Sequence, residues 1–441
     1  MNSILCAALM PHPPIIIPKV GKKETAKVCA TIQAMDTVAQ SFNDYNIQTI
    51  IIISPHGLNF ADAITLCAQP TLRGTMAAFG APDLSLEFKT DEVLLRAIQK
   101  EAEILDVKLI EMTENKADCL RSQVELDHGA FVPLYYLHKA GFRGQIIHLS
   151  PGFVSYEEMI TLGQAIQKAT ATTEKRIGIV ASGDLSHRVT KNAPNGFHPQ
   201  GAAFNQYVVD ILRRGNLKEL LNMDRLLARE IGECGLRPIF CLMGILDGLP
   251  ITSQVLSYEA PFGVGYAVAQ FDVLPTPTDL ARASLVHFLK TGQHLPIPRQ
   301  LPPELTRRAG TFVSLKKANQ LRGCIGTIFP TEKNTAKEII ENAIRSGTED
   351  PRFTPVELAE VDKLTLSVDI LGEPESITSE AELDVTQYGV IVKKGNRTGL
   401  LLPRLAGVDT VREQIDIARQ KAGIAKTEDI ELYRFTVTRY E

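Results

Sequence analysis

The sequence has no long apolar run, no excess of positive charge and no signal-like N-terminus. No apolar stretch approaches the roughly 18 residues of a membrane helix, so we expect no membrane as partner. The 47 Lys and Arg against 51 Asp and Glu give a formal net charge of −4, which supplies no electrostatic attraction to nucleic acid. Pro11, Pro13 and Pro14 interrupt the first apolar run and no basic segment precedes it, so we predict no signal peptide.

Paired-cysteine and zinc-protease motifs are also lacking. The 7 cysteines are scattered and form no Cys-x-x-Cys motif, which predicts reduced thiols and a cytoplasmic protein. No His-Glu-x-x-His motif is present, which argues against a zinc hydrolase of that type.

The chain of 441 residues is long enough for two or three domains. A strand-like run ends in prolines near Pro275, and a helix is predicted to begin at Thr278 or Asp279. We therefore predict domains at 1–272 and 276–441. Apolar strands in the first half alternate with amphipathic helices, which predicts an α/β domain with a largely buried mixed sheet flanked by helices. The second half is predicted to be α+β.

The elements expected in the first half are strands 4–10, 48–54, 144–149 and 176–181 and helices 23–43, 91–104, 155–170, 200–214 and 235–247. Those expected in the second half are strands 310–315, 363–371, 388–393 and 432–438 and helices 280–290, 335–347 and 410–422.

Histidines follow three of the predicted strands. His12 lies in Met10-Pro11-His12-Pro13-Pro14, His56 in Ser54-Pro55-His56-Gly57, and His187 in Ser182-Gly183-Asp184-Leu185-Ser186-His187. Ligands of open α/β sheets bind outside the carboxyl ends of the strands. Side chains delivered there from separate strands can converge on one point, so the pattern predicts a metal site.

Three further features support or limit this prediction. His128 follows Asp127 at the start of an apolar helix or strand, and Asp184 is placed three residues before His187, where a carboxylate could orient the imidazole. His148 lies inside a predicted strand and is expected to be a core residue. Each histidine alone is more often structural, but together they predict a metal or acid–base site.

These motifs, in this order, resemble the class III extradiol ring-cleavage dioxygenases. The resemblance includes Leu126-Asp127-His128-Gly129-Ala130-Phe131-Val132-Pro133-Leu134 and covers about residues 1–272. It extends to the catalytic LigB-like subunits and the Memo-like proteins that share their fold. It implies non-haem Fe(II) held by two histidines and a carboxylate, with His12 and His56 as the histidine ligands. His128 would be the general acid or base, and His187 would act on substrate.

The third ligand is where this sequence departs from the dioxygenases. They use a glutamate, whereas Memo-like proteins place a cysteine there, and Glu230-Ile231-Gly232-Glu233-Cys234-Gly235-Leu236-Arg237-Pro238 resembles the Memo pattern. We expect Cys234 to open a helix, whose N-terminus would lower the pKa of the thiol. Glu230 and Glu233 are the carboxylate alternatives. Another divalent metal, such as Zn or Cu, could replace Fe(II).

The second half resembles the AMMECR-type domain over about residues 276–440. The resemblance rests on three motifs: Leu321-Arg322-Gly323-Cys324-Ile325-Gly326, Asp350-Pro351-Arg352-Phe353 and Gly399-Leu400-Leu401-Leu402-Pro403. We predict that Arg322 and Cys324 line a cleft and form a second site. The alternative is that Cys324 packs inward in a tight turn. Memo-like and AMMECR-type proteins are often associated with a radical SAM protein, which implies such a partner.

Three functions remain open at this point. The first is an Fe(II)-dependent, dioxygenase-type oxidoreductase acting on a catecholic or phenolic aromatic, with proton transfer by His128 and with His187 and Asp184 assisting. The second is a Memo-like metal-binding redox or maturation component that works with a radical SAM partner without ring cleavage. The third is a non-catalytic scaffold in which the metal is structural.

Overall fold

The computed structural model describes residues 3–119, 124–405 and 407–441. The described chain folds as two compact units, which divide between Leu274 and Pro275. Among the helices in the described part of the chain, none combines the length and the apolar character needed to cross a lipid bilayer.

The N-terminal unit is built on an eight-stranded mixed sheet with helices on both faces. Its strands are β1 (Ile4–Met10), β2 (Thr49–Ile53), β3 (Ile64–Cys67), β4 (Thr71–Met76), β5 (Ala81–Lys89), β6 (Leu109–Met112), β7 (Gln145–Ser150), β8 (Ile177–Ser182), β9 (Ile251–Glu259) and β10 (Tyr266–Val273). Its helices are α1 (Pro18–Gly21), α2 (Cys29–Asp44), α3 (Glu92–Ile104), α4 (Glu114–Cys119), α5 (His128–Lys139), α6 (Tyr156–Thr170), α7 (Gly201–Arg214), α8 (Arg225–Glu230) and α9 (Leu236–Leu246).

The strand order of the large sheet is β6-β3-β7-β2-β8-β1-β10-β9, and β4 and β5 form a separate hairpin. The central strands β7, β2, β8 and β1 are parallel, while β10 and β9 continue the sheet antiparallel. Alternate residues of each central strand pack into two different hydrophobic cores, one on each face of the sheet. Ile51 and Ile53 pack on the side of α3, α6, α7 and α9, whereas Ile50 and Ile52 pack on the side of α2 and α5. Strands buried on both faces explain their continuous apolar sequences.

The parallel arrangement places the carboxyl ends of β1, β2 and β8 at one edge of the sheet. His12 follows β1, His56 follows β2, and the segment from Asp184 to His187 follows β8. The same edge receives the first residue of α5, because Asp127 and Ser54 are hydrogen-bonded to each other there. The fold thus gathers motifs that are far apart in the sequence.

The C-terminal unit contains two four-stranded sheets, of order β12-β11-β13-β18 and β14-β17-β15-β16. The first packs one face on α10 and α12, and the second packs one face on α13. The strands are β11 (Thr311–Lys317), β12 (Gln320–Gly326), β13 (Leu364–Leu371), β14 (Glu375–Ile377), β15 (Gly389–Lys394), β16 (Arg397–Leu401), β17 (Glu431–Phe435) and β18 (Val437–Tyr440). The helices are α10 (Pro277–Thr291), α11 (Pro303–Thr306), α12 (Thr335–Thr348) and α13 (Val411–Ala422).

The structure confirms the α/β class of the first half and the α+β class of the second. Some element boundaries differ from the sequence prediction. The predicted helix 23–43 is a 3-10 segment, Lys22–Val28, followed by α2, and the strand predicted at 432–438 is divided between β17 and β18. The apolar segment after Asp127, which the sequence left open as helix or strand, is the helix α5.

Candidate metal centre

His12 and His56 bring their ring nitrogens together at the carboxyl edge of the sheet. His12 is 2% exposed, whereas His56 is open to solvent. Their Nε2 atoms lie 3.0 Å apart. Two nitrogens bound at about 2.1 Å to one ion would be about 3.0 Å apart at a right angle, as in octahedral coordination, and about 3.4 Å apart at a tetrahedral angle. The pair is therefore spaced as two ligands of a single ion.

His128 completes a three-histidine cluster with this pair. One ligand atom from each of His12, His56 and His128 lies within 4.8 Å of the other two. The His128 ring stacks on His56, with 4.4 Å between ring centroids, and meets His12 edge-on at 5.5 Å. The sequence predicted His128 only as an acid or base, so its place within ligand distance is a finding of the structure.

Asp127 holds His56 and His128, the two less buried members of the cluster, in place. Its Oδ1 atom accepts hydrogen bonds from the backbone N–H groups of Gly129 and Ala130, at 2.8 and 3.1 Å, and thereby caps α5. The same oxygen accepts a 2.6 Å hydrogen bond from the hydroxyl of Ser54, two residues before His56. One carboxylate thus joins the segment that carries His56 to the helix that begins with His128.

Ser182 determines which nitrogen of His12 is free. Its Oγ donates to the carbonyl of Gly129 at 2.5 Å and lies 2.8 Å from Nδ1 of His12. A hydroxyl has a single proton, so Oγ must accept from Nδ1–H of His12. The lone pair of a neutral His12 is then on Nε2, the atom that faces His56. Such a partner on the far nitrogen is the usual means of orienting a metal-binding histidine.

The electrostatic environment keeps these rings neutral. Burial lowers the pKa of His12 well below its ordinary value, and the neighbouring His56 and His128 lower it further. Burial and His128 lower the pKa of His56 to about 4, and burial also lowers the pKa values of His128 and His187. Neutral imidazoles offer lone pairs, so the three rings of the cluster fit a divalent metal near pH 7.

Cys234 also lies near Nε2 of His12. Its Sγ lies 3.6 Å from Nε2 of His12 and 3.8 Å from Nε2 of His187. A nitrogen and a sulfur bound at about 2.1 and 2.3 Å, at a tetrahedral angle, would be about 3.6 Å apart. The spacing between His12 and Cys234 therefore suits a shared ion as well.

The segment after β8 fixes the position of this thiol. The backbone N–H of Asp184 donates to Sγ of Cys234 at 3.3 Å, and the N–H groups of Cys234 and Gly235 donate to the carbonyl of Asp184 at 3.2 and 2.9 Å. A Cβ atom on Gly183 would come within 2.3 Å of Cα of Gly235. Only glycine allows the two backbones to approach this closely.

Comparison with known proteins identifies both halves of the chain. The family described as the catalytic LigB subunit of aromatic ring-opening dioxygenase matches residues 6–269. The chain belongs to the LigB family. An AMMECR1 domain matches residues 278–440. We call the two compact units the LigB unit and the AMMECR1 unit from here on.

Relatives share one or both units. A protein of Clostridium acetobutylicum is 38% identical over 460 aligned residues, covering 98% of each chain, which suggests the same two-unit fusion. A Thermotoga maritima protein is 51% identical over 158 residues, 35% of this chain and 91% of its own. A crystal structure of an uncharacterised Pyrococcus horikoshii protein is 35% identical, with a TM-score of 0.35, and covers 37% of this chain and 88% of that one.

The prediction that Cys234 opens a helix and has a lowered thiol pKa is wrong. Cys234 does not open α9 but precedes its first residue, Leu236, by a short turn. Burial raises the pKa of the thiol well above its ordinary value, and the nearby Asp184 carboxylate raises it further. Without a metal the thiol is therefore protonated, and coordination would require it to lose a proton.

Asp184 also differs from its expected role. Its carboxylate contacts His12, not His187, within the described part of the chain: Oδ1 accepts from the backbone N–H of His12 at 3.0 Å. Oδ2 lies 4.0 Å from Nε2 of the same ring. Burial raises the pKa of Asp184 to about 7, although the hydrogen bond from His12 opposes this shift. Asp184 is thus an additional oxygen beside the cluster, not a support for His187.

The two alternative carboxylate ligands are engaged elsewhere. Oε2 of Glu230 lies 3.4 Å from Nε2 of His198. Oε2 of Glu233 accepts the backbone N–H of Leu236 at 2.6 Å and so caps α9. Neither contact directs the carboxylate to His12 or His56. Of the three candidates for the third ligand, Glu230, Glu233 and Cys234, it is Cys234 that lies next to Nε2 of His12.

His148 is buried, as the sequence predicted, but it is not an inert core residue. It is 0% exposed, and its Nε2 lies 3.0 Å from Oδ2 of Asp127. Burial disfavours the charged ring, but Cys67 and Asp127 outweigh this effect and raise the pKa of His148 to about 10. A buried ion pair therefore supports the carboxylate that positions His56 and His128.

In the AMMECR1 unit, Arg322 and Cys324 have different surroundings. The Arg322 guanidinium donates to the carbonyls of Thr354 and Pro355, at 2.7 and 3.3 Å, and pairs with Glu360 at 2.7 Å. It thus secures the loop before Leu358. Cys324 is half-buried, and its sulfur accepts a 3.2 Å hydrogen bond from Ser314 on β11. No contact in the described chain joins Arg322 to this sulfur.

Proposed function

We propose that the LigB unit binds one iron-type divalent metal through His12, His56 and Cys234. We further propose that it is a dioxygenase-type oxidoreductase acting on a catecholic or phenolic aromatic. One observation carries the proposal: Nε2 of His12 lies 3.0 Å from Nε2 of His56 and 3.6 Å from Sγ of Cys234. Both separations fit ligands of one ion, and the Ser182 contact leaves the lone pair of His12 on the shared atom.

The metal, when bound, would supply a Lewis-acidic centre that chelates the substrate hydroxyls and allows electron transfer. The protein would supply proton transfer and orientation. His128 is neutral and partly open to solvent, so its ring can accept a proton from a substrate hydroxyl. Phe79, 5.5 Å from the His128 ring and exposed, offers an aromatic surface for a planar substrate.

His187 would act on the substrate from a position beside Cys234. Its ring contacts Cys234, and its backbone N–H donates to the carbonyl of Gly232 at 3.3 Å. Burial lowers its pKa, so the ring is neutral and can donate or accept one hydrogen bond. We propose that His187 orients the substrate and that His128 is the acid or base.

A second function is favoured by the thiol itself. Cys234 occupies the position beside His12 where a ring-cleaving enzyme of this family would be expected to place a carboxylate. This supports a metal-binding redox or maturation component that works with a radical SAM partner and cleaves no ring. If His12, His56, His128 and Cys234 all coordinate, four protein ligands close the site, and the metal is structural in a scaffold.

Anaerobic reconstitution with Fe(II) tests these functions in order. The wild type should bind about one iron per chain, and His12→Ala and His56→Ala should bind none, while His138→Ala, a half-exposed histidine outside the cluster, should bind as wild type. Unchanged iron in both cluster variants would overturn the metal site. The loaded protein is then given a panel of catechols with and without O2. Ring-opened products that require O2 support the oxygenase, and their absence with intact iron supports the second function.

The third ligand is identified by replacing iron with Co(II). Cys234→Ser should abolish the near-ultraviolet absorption of a thiolate bound to cobalt, whereas His128→Gln should keep it. If His128→Gln loses the metal and Cys234→Ser does not, the ligands are the three histidines and Cys234 acts as a neighbour only. Loss of the bound metal in both variants indicates a closed site with four protein ligands.

A further inference from the structure

A cavity of about 780 Å³ lies at the end of the LigB sheet opposite the metal centre. Gln48, Gly144 and Arg176 line it and directly precede the parallel strands β2, β7 and β8. His56, in contrast, follows β2, whose 5 residues span about 17 Å. Cavities that hold small organic ligands measure roughly 300–1,000 Å³. This cavity is therefore large enough for such a ligand and separate from the candidate metal site.

Aromatic side chains form the buried part of the lining. Phe42 of α2, Phe88 of β5 and Phe142, which follows α5, all line the cavity and are at most 5% exposed. The centroid of the Phe88 ring lies 5.9 Å from that of Phe142 and 5.8 Å from that of His138. Elements far apart in the sequence thus bring their rings to one place. A planar apolar group can pack on such rings.

Three cations in the lining have no carboxylate partner in the described chain. Lys89, the last residue of β5, makes no side-chain hydrogen bond or ion pair there. Arg143 donates Nη1–H to two backbone carbonyls, at 2.7 Å each, and Arg176 donates Nε–H to the carbonyl of Asn46 at 2.8 Å. All three side chains belong to exposed residues. Each guanidinium therefore keeps N–H groups for another acceptor, those of Nη2 in particular.

The positive charge stays in excess when the surrounding carboxylates are counted. Lys175, a fourth cation in the lining, pairs with Asp91 at 2.6 Å. Glu87, the carboxylate in the lining, pairs with Arg73 at 2.7 Å. Two more carboxylates flank lining residues in the sequence without lining the cavity themselves: Asp44 and Glu174. Setting both of these against the three unpaired cations still leaves one positive charge.

Amide side chains supply the neutral polar groups of the lining. Oε1 of Gln48 accepts the backbone N–H of Arg176 at 3.0 Å, and Nε2 of Gln48 donates to no group that the structure describes. The side-chain amide of Asn43 likewise makes no hydrogen bond with the described residues. Asn and Gln amides pair well with the donor and acceptor edges of heterocyclic bases. The cavity thus combines cations, aromatic rings and amides.

We propose that this cavity of the LigB unit binds a phosphate ester with a planar ring, the chemistry of a mononucleotide. Lys89, Arg143 and Arg176 would hold the phosphate groups, because guanidinium and ammonium groups without carboxylate partners suit phosphate oxygens. The aromatic lining would receive the ring, and the amides would pair with its polar edge. The site is independent of the metal centre and of the reaction proposed for it.

Calorimetric titration of the intact protein with ADP, GDP and UDP tests the proposal. EDTA is present, so that no metal can link a nucleotide to the histidine cluster. At least one nucleotide should bind once per chain with a Kd of about 100 μM or lower. The matching nucleoside and pyrophosphate, which each carry half of the ligand, should bind at least about tenfold more weakly. Pyrophosphate binding as tight as that of the nucleotides, or no nucleotide binding below about 1 mM, would overturn the proposal.

Charge variants show whether the lining cations hold the phosphates. Lys89→Gln removes a charge without removing a contact of the described chain, so the fold should be kept; affinity should fall about three- to tenfold, and Lys89→Arg should restore it. Arg176→Gln should weaken binding about tenfold. Arg213→Gln, the control, removes an arginine of α7 that pairs with Asp210 outside the cavity and should bind as wild type. Wild-type affinity in both Lys89→Gln and Arg176→Gln would contradict the assignment.

A cavity-filling variant shows whether the ring enters the cavity. Asn43→Trp places a large side chain beside Gly141, where a Cβ atom on the glycine would lie 2.9 Å from Oδ1 of Asn43. Nucleotide affinity should fall to that of pyrophosphate. Asn43→Ala, which removes the amide but leaves the space open, should cost no more than about threefold. Unchanged nucleotide binding by Asn43→Trp would mean that the ligand lies outside the cavity, and the inference would be withdrawn.

Discussion

Oγ of Ser182 lies 2.8 Å from Nδ1 of His12, and this contact decides which ring nitrogen of His12 can bind a metal. The two residues end neighbouring parallel strands, β8 and β1, with Met10 paired to Ser182. The serine proton is committed to the carbonyl of Gly129, so the contact is a hydrogen bond from the ring to the hydroxyl. The strand pairing of the sheet thus sets the tautomer of a candidate ligand.

Ser182→Ala should therefore weaken metal binding without destroying the site. We expect a loss of about 10- to 100-fold in affinity, because Nδ1–H of His12 loses its acceptor and the ring is no longer oriented. Competition with a chelator of known affinity measures the change. Ser150→Ala is the matched control: Ser150 is also buried at a strand end, on β7, and its hydroxyl has no hydrogen-bond partner in the described chain. An equal loss in both variants would contradict the tautomer argument.

Metal affinity should rise with pH if Cys234 is a ligand. Burial and Asp184 raise the pKa of the thiol, so it is protonated without metal and releases one proton on binding. The affinity should then increase about tenfold per pH unit between about pH 6 and 8. His12 and His56 add no slope in this range, because the pKa of His12 is well below its ordinary value and that of His56 is lowered to about 4.

Cys234→Ala should remove most of this slope, as measured by chelator competition at several pH values. Asp184 must be controlled, because its pKa of about 7 lies inside the same range. Asp184→Asn should keep the slope that arises from the thiol. Identical slopes in the wild type and in Cys234→Ala would show that the thiol does not coordinate.

His148→Gln should strongly destabilise the LigB unit. The ring and Asp127 form a buried pair 3.0 Å apart, and removing one partner leaves a buried charge without compensation. We expect a loss of about 3–5 kcal/mol in the free energy of unfolding, measured by urea denaturation. His138→Gln, at a half-exposed site in the same unit, should change stability by only about 0.5 kcal/mol. A similar small effect at His148 would mean that the pair contributes little.

The pH dependence of this loss follows from the two pKa shifts. The pKa of His148 is raised to about 10, so its contribution is fully present below the ordinary value of about 6.5 and disappears as pH rises through about 10. Burial raises the pKa of Asp127, but contacts with His148, Ser54 and Ala130 outweigh it and hold the pKa well below its usual range. The contribution of Asp127 is therefore present above about pH 4 and is lost in strong acid. The wild type and His148→Gln should converge in stability above about pH 10.

The sequence predicted those parts of the site that depend on local pattern. His12 and His56 follow continuous apolar strands, and the carboxyl ends of parallel strands meet at one edge, so their convergence was predictable. The role of Asp184 was not. Its distance from His187 along the chain suggested a pair, but the turn after β8 directs the carboxylate to His12 instead. Direction of a side chain in a turn depends on backbone dihedrals that residue spacing does not reveal.

The AMMECR1 unit shows the same limit more clearly. Arg322 and Cys324 are near neighbours on β12, where the strand pairing shifts between Leu315 and Lys316, yet the Arg322 guanidinium pairs with Glu360. The cation that contacts the Cys324 residue is Arg352, whose Nη2–H donates to the carbonyl of Cys324 at 3.1 Å from 28 residues further along the chain. A sequence motif singled out Cys324, but the residues next to it in the sequence did not indicate which cation lies beside it.

Residues 276–441 should fold when expressed alone. This segment contains its own apolar cores, one between α10, α12 and the sheet of β11 and β13, and one between α13 and the sheet of β15 and β16. α10 begins with its own cap, since the hydroxyl of Thr276 accepts the backbone N–H of Asp279 at 3.1 Å. We expect a single cooperative unfolding transition in urea and dispersed amide resonances in the NMR spectrum. A segment that shows neither cooperative unfolding nor amide dispersion would contradict its independence.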